Sequence, residues 1–184
     1  PLVVMLVLTQ LSVGAFIASQ VLAVVLPREQ VATIGPLLAI NALAFGLLAI
    51  SASVFHLGRP LFAFRALLGL RHSWLSREIV AFGAFAGLAI AQAGTVLVCG
   101  DSSQALASWL GWGVCASGVV ALQCSIMIYV ITQREMWSFS RVALRFVLTT
   151  ALLGVAAVWL SILGLAVARP STELGVLVSN VGPP

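Results

Sequence analysis

Long apolar stretches separated by short polar ones set the pattern of this chain. A membrane crossing takes about 20 apolar residues at 1.5 Å rise per residue. Five runs meet that length: residues 2–26, 36–57, 77–99, 104–131 and 141–168. The first ends at Pro27 and the polar PREQ. The second opens at Gly35-Pro36, with Pro36 suited to a first helical turn, and stops at Gly58 with Pro60 just beyond. The third follows Ser76, a candidate N-cap, which places Glu78 in its first turn. The fourth follows the GDSSQ turn, where Ser102 and Ser103 are cap candidates. The fifth follows Ser140 and ends before Arg169-Pro170. The tail 171–184 is too short to cross. The expectation is an all-α integral membrane protein, a polytopic bundle of five transmembrane helices forming one domain over 1–170. No internal repeat and no soluble domain is visible.

Composition strengthens this reading. Hydrophobic residues make up 61% of the 184 and charged residues 8%, and the mean hydropathy is +1.16, whereas a soluble domain is about a quarter charged. The net charge of +4 lies between apolar runs rather than in a patch, which argues against nucleic-acid binding. Cys99, Cys115 and Cys124 lack CxxC spacing and fall in or at the ends of apolar runs, so they read as small packing residues. The chain opens PLVVM without an initiator methionine, so a few residues are expected before it. No short apolar region with a small-residue cleavage site follows, which argues against a signal peptide. Gly83 with Gly87, and the stretch Gly111–Gly118, mark places where helices are expected to approach closely.

The ionisable residues are unevenly spread. All nine basic residues are arginines, and Arg59, Arg65, Arg71 and Arg77 lie in VFHLGRPLFAFRALLGLRHSWLSRE, residues 54–78, with both histidines and Glu78. With five crossings, this connection and the one carrying Arg134, Arg141 and Arg145 share a side, against Arg28 and Arg169 on the other. The positive-inside rule makes the arginine-rich side cytoplasmic. Tyr129, Trp137 and Phe139 on that side read as an interfacial aromatic belt.

Positions in 54–78 suggest chemistry. His56 is expected in the last turn of the second helix, where the negative end of the helix dipole favours an imidazolium, and Glu78 at the positive end of the third. Residues 60–70, PLFAFRALLGL, are too apolar for a solvated loop and too short to cross, so a short interfacial helix is expected over the mouth between the two. An apolar pocket with a proton acceptor, a carboxylate and guanidinium donors suits a lipid-soluble ligand that gains and loses protons, and a quinol fits that description. A neutral His56 can take a hydroxyl proton and Glu78 can relay one to water. Each residue also has a plain structural reading: arginines at helix ends extend to lipid phosphates, and a terminal histidine caps carbonyls. His72, beside Arg71 in mid-loop, weighs toward structure. His56 and His72 do not form a pair on facing helices at spanning depth, so this chain alone is not expected to bind haem.

The segment FHLGRPLFAFRALLGLRHSWLSREI resembles the HLG-x-P … RA … S-x-L-S-x-E-I stretch of the membrane anchor subunits of dimethyl sulfoxide reductase and its relatives. The likeness extends to PLVVMLVLTQLSVGAFI in the first run and to the tryptophan of the fourth connection. The resemblance implies an all-helical subunit of about eight spans in the bacterial inner membrane, with no haem, metal or iron–sulfur cluster of its own. It would oxidise menaquinol and pass electrons to a four-cluster iron–sulfur subunit. That subunit feeds a catalytic subunit carrying molybdenum bis-pterin guanine dinucleotide. The motif's histidine falls on His56 and its glutamate on Glu78, both associated with quinol binding in that family. Arg59 and Arg77 are further candidate donors to the quinol. This chain shows five spans rather than about eight. If the iron–sulfur partner docks on the arginine-rich face, those arginines serve docking, and that face lies outside wherever the catalytic subunits are exported folded. Two other readings stand beside this one: a structural anchor without quinol chemistry, and a small-solute transporter. The transporter reading draws little support, because mid-membrane polarity is limited to residues such as Asn41, Gln92 and Gln123.

Overall fold

A computed structural model describes residues 2–54, 68–98 and 103–168. Five helices account for nearly all of them: α1 (Leu2–Val25), α2 (Arg28–Val54), α3 (Trp74–Val98), α4 (Gln104–Ile131) and α5 (Phe139–Ala168). All five are long and apolar enough to cross a membrane. The expected five-span all-α bundle is therefore what forms. The expected interfacial helix over 60–70 lies mostly outside the described residues; Leu68 and Gly69 belong to a short turn.

Three of the expected helix starts are corrected. The polar PREQ is not a connection. Only Leu26 and Pro27 separate α1 from α2, and Pro36 lies inside α2 rather than in its first turn. Proline in a helix interior costs about 3 kcal/mol. Ile34, 2% exposed in the core, holds the preceding turns in place, and backbone groups inside a membrane have no better partner than the helix itself. The α3 start moves outward as well. Ser73, not Ser76, caps it, accepting the Ser76 backbone N–H on its hydroxyl oxygen at 3.3 Å. Glu78 therefore stands in the second turn, away from the strongest part of the dipole. Helix α5 starts at Phe139, which puts Ser140 inside it. Ser103 at the head of α4 makes no side-chain cap bond, and Ser102 lies outside the described residues.

The core draws on all five helices, and its aromatic centre lies between α1, α3 and α4. Val13 and Phe16 of α1, Phe82 and Phe85 of α3, and Val114 and Leu122 of α4 are buried together. Phe85 forms T-shaped pairs with Phe16 and Phe82, with ring centroids 5.7 and 6.3 Å away. Gly118 lets Val13 and Phe85 press against α4. Polar side chains join the helices where hydrocarbon supplies no attraction of its own. The Ser12 hydroxyl donates to the Ala42 carbonyl at 2.7 Å, and the Asn41 amide donates to the Ser161 hydroxyl at 2.8 Å.

The closest backbone approach is not at the expected pair. Gly83 and Gly87 are exposed, with open space where a Cβ would be. The tight crossing is between α1 and α5, where Gly14 lies directly against Gly154 and the Thr150 carbonyl. Cys115 and Cys124 are buried and free, while Cys99 lies outside the described residues.

Candidate functional site

Glu78 is the one charged side chain buried among the described residues, at 6% exposure. It stands four positions after Trp74, so its Cα lies about 6 Å below the start of α3. Its position follows from the register of the α3 face, because Glu78, Phe82, Phe85, Ala89 and Ala93 all turn inward. That apolar stripe packs on α4 and carries the carboxylate in with it.

The partner comes from α4. The Ser125 hydroxyl donates to Glu78 Oε1, in a buried bond spanning 47 residues of sequence, and lies 3.3 Å from the Ala121 carbonyl oxygen of its own helix. Sequence reasoning missed Ser125, because a lone serine in an apolar run carries no mark of chemistry. A signal was nonetheless present. In an antiparallel hairpin, residues equally far from the turn stand level, and Glu78 lies 23 residues before Asp101 as Ser125 lies 23 after Ser102. Phe85 and Gly118 obey the same register. Cys124 and Tyr129 of α4 lie within electrostatic reach of Glu78.

Arg77 faces elsewhere. Its Nε donates to the Leu70 carbonyl at 2.8 Å and Nη2 to the Arg71 carbonyl at 3.1 Å, while its guanidinium lies 4.2 Å from the centroid of the Trp74 ring. These contacts fold the turn at 68–73 back on the first turn of α3. The Gly69 carbonyl accepts the amides of His72 and Ser73 at 3.0 and 2.9 Å. His72 is exposed in that turn. His56 and Arg59 lie outside the described residues.

At the same end of the bundle, the α4–α5 connection forms an aromatic cluster. Tyr129 meets the Trp137 ring edge-to-face at 5.0 Å and the Phe146 ring at 5.9 Å, and Arg134 sits 5.1 Å from the centroid of the Trp137 ring. The expected belt residues Tyr129 and Trp137 pack together, whereas Phe139 is exposed. Among the described residues, clefts open between helices. One of about 600 Å³ lies between α2 and α5 beside Asn41 and Ser161. A larger one, of about 1180 Å³, lies between α1, α4 and α5 and includes Gln123 and Trp159. Glu78 lines neither.

The fold and the buried carboxylate define a polytopic membrane protein that, among the described residues, sets one charged side chain inside the bundle near the start of α3. The family model for the dimethyl sulfoxide reductase anchor subunit (DmsC) matches residues 1–179, so the chain belongs to that family. Comparisons with curated proteins and with solved structures found no match. Membership makes the chain a membrane anchor of a dimethyl sulfoxide reductase complex, which implies catalytic and iron–sulfur partner subunits.

Proposed function

We propose that this anchor oxidises menaquinol at the membrane face where α3 begins, with His56 and Glu78 accepting its protons. The supporting observation is Glu78: the one buried carboxylate among the described residues, carried into the bundle by an apolar stripe and met there by a hydroxyl donor. Leaving a charge inside a membrane protein is costly, and such groups usually mark proton or substrate paths. The donor set suits a quinol, because a carboxylate and an imidazole can each accept a hydroxyl proton. Quinol oxidation releases two protons and two electrons. His56 takes one hydroxyl proton, Glu78 takes the other and passes it to water, and the electrons leave to a four-cluster iron–sulfur subunit. The last acceptor in the complex is the catalytic subunit with its molybdenum bis-pterin guanine dinucleotide. The membrane is the bacterial inner membrane. Arg77 supports the site by fixing the turn before α3, and Arg59 supplies a further donor to the quinol.

The test is turnover of the assembled complex in membranes with two electron donors. A menaquinol analogue enters through the anchor, whereas reduced viologen delivers electrons directly to the soluble subunits. His56→Ala and Glu78→Gln are expected to lose quinol-dependent turnover and keep viologen-dependent turnover. Full quinol-dependent activity in both variants would leave the chain a structural anchor.

A further inference from the structure

We infer that Ser125 is a positioning residue for Glu78, a hydroxyl that keeps the buried carboxyl hydrogen-bonded both when it is ionised and when it carries a proton. The inference rests on the proton-accepting role proposed for Glu78 and adds the group that makes that role repeatable. A hydroxyl has one hydrogen to give and two lone pairs to receive with. With Glu78 ionised, the Ser125 O–H donates to Oε1 across the contact between the two side chains. When Glu78 accepts a proton, its new O–H donates to Ser125 Oγ. The Ser125 hydrogen then turns to the Ala121 carbonyl oxygen, already 3.3 Å away. One proton enters the carboxyl and the same proton later leaves to water, while Ser125 keeps its own throughout. Neither state leaves a buried polar group without a partner, so the exchange needs one hydroxyl rotation rather than repacking of α3 on α4.

Among the described residues, other elements do not take over this task. Beside Ser125, α4 offers Cys124, a weak donor, and Tyr129, whose ring is engaged with Trp137 and Phe146. On α3, the neighbouring Arg77 has Nε and Nη2 committed to loop carbonyls. Helix α1 contains no ionisable residue, and those of α2 among the described residues, Arg28 and Glu29, stand at its opposite end. Arg141 and Arg145 of α5 are exposed.

The experiment uses the assembled complex in membranes, with the menaquinol analogue and reduced viologen as alternative donors. Losing a hydrogen bond to a charged group lowers a rate by roughly tenfold or more. Ser125→Ala is expected to show that loss in quinol-dependent kcat, with KM and viologen-dependent turnover near wild type and a displaced pH–rate profile. Ser125→Thr, which keeps the hydroxyl, is expected to restore both kcat and the profile. Ser125→Cys keeps the size and weakens the donor, so it guards against a packing defect in the alanine variant. In quinol-induced infrared difference spectra, the carboxyl band that Glu78→Gln removes is expected to shift in Ser125→Cys. Wild-type kcat and pH profile in Ser125→Ala, with Glu78→Gln inactive, would overturn the role of Ser125 and leave the proposed function standing. An unshifted carboxyl band in Ser125→Cys would overturn it equally, and an active Glu78→Gln would overturn it together with the proton-accepting role of Glu78.

Discussion

Adding one methyl group at Gly154 tests the arrangement of the bundle, because this residue sits at the closest contact between α1 and α5. A Cβ built on Gly14 meets the Gly154 Cα at 2.9 Å and the Thr150 carbonyl carbon at 3.0 Å, and a Cβ on Gly154 falls against the Gly14 backbone itself. Carbon atoms rest at about 3.5–4.0 Å, and the Gly14 Cα lies 2.5 Å from the Gly154 Cβ, so the helices would have to part by roughly 1–1.5 Å. No flexible side chain can yield here, which points to the upper end of the roughly 1–3 kcal/mol cost of overpacking. Alanine recovers about 1 kcal/mol of helix propensity, so Gly154→Ala should destabilise by about 2 kcal/mol net. Gly83→Ala is the control: its Cβ meets open space, and the same propensity gain should leave it neutral or up to about 1 kcal/mol more stable. Unfolding of the purified chain by a denaturing detergent in mixed micelles, followed by tryptophan fluorescence, reads the difference. Equal stability of the two variants would refute the crossing.

Two further outcomes follow from local geometry. Arg77→Ala removes the clamp on the turn before α3, and the loss of two carbonyl contacts, about 1–1.5 kcal/mol, should speed amide exchange across 68–76 roughly tenfold while distant helices keep wild-type protection. Gln133, at the end of α4, has φ of 51°, a conformation that suits glycine; Gln133→Gly should raise stability by up to about 1 kcal/mol and Gln133→Val should lower it, as read in the same detergent titration.

The spans are legible in the sequence because hydropathy reports removal from water, whether a residue ends up against lipid or against protein. Their ends are less so. Pro36 reads as a helix start by local rules, yet the burial of Ile34 two residues earlier carries α2 through it. Ser76 reads as the cap of α3 on paper, whereas the Arg77 contacts with the Leu70 and Arg71 carbonyls favour Ser73. Which glycines mediate close packing depends on the rotation of each helix about its axis. A nearly all-apolar sequence hardly encodes that rotation, so Gly83 and Gly87 read well and touch nothing. Glu78 stands out because a carboxylate in an apolar run is rare. Ser125 acquires meaning only through register: α3 and α4 must be folded back on each other about the GDSSQ turn before the two residues meet.

The most direct test of the account is where a photoreactive menaquinone analogue attaches in the assembled complex. Peptide mapping should find the label in the segment joining α2 to α3 and on the first turns of α3, with attachment competed by menaquinol and reduced in Glu78→Gln. Label confined to the clefts, at Leu160 beside α2 or Trp159 facing α4, would contradict it.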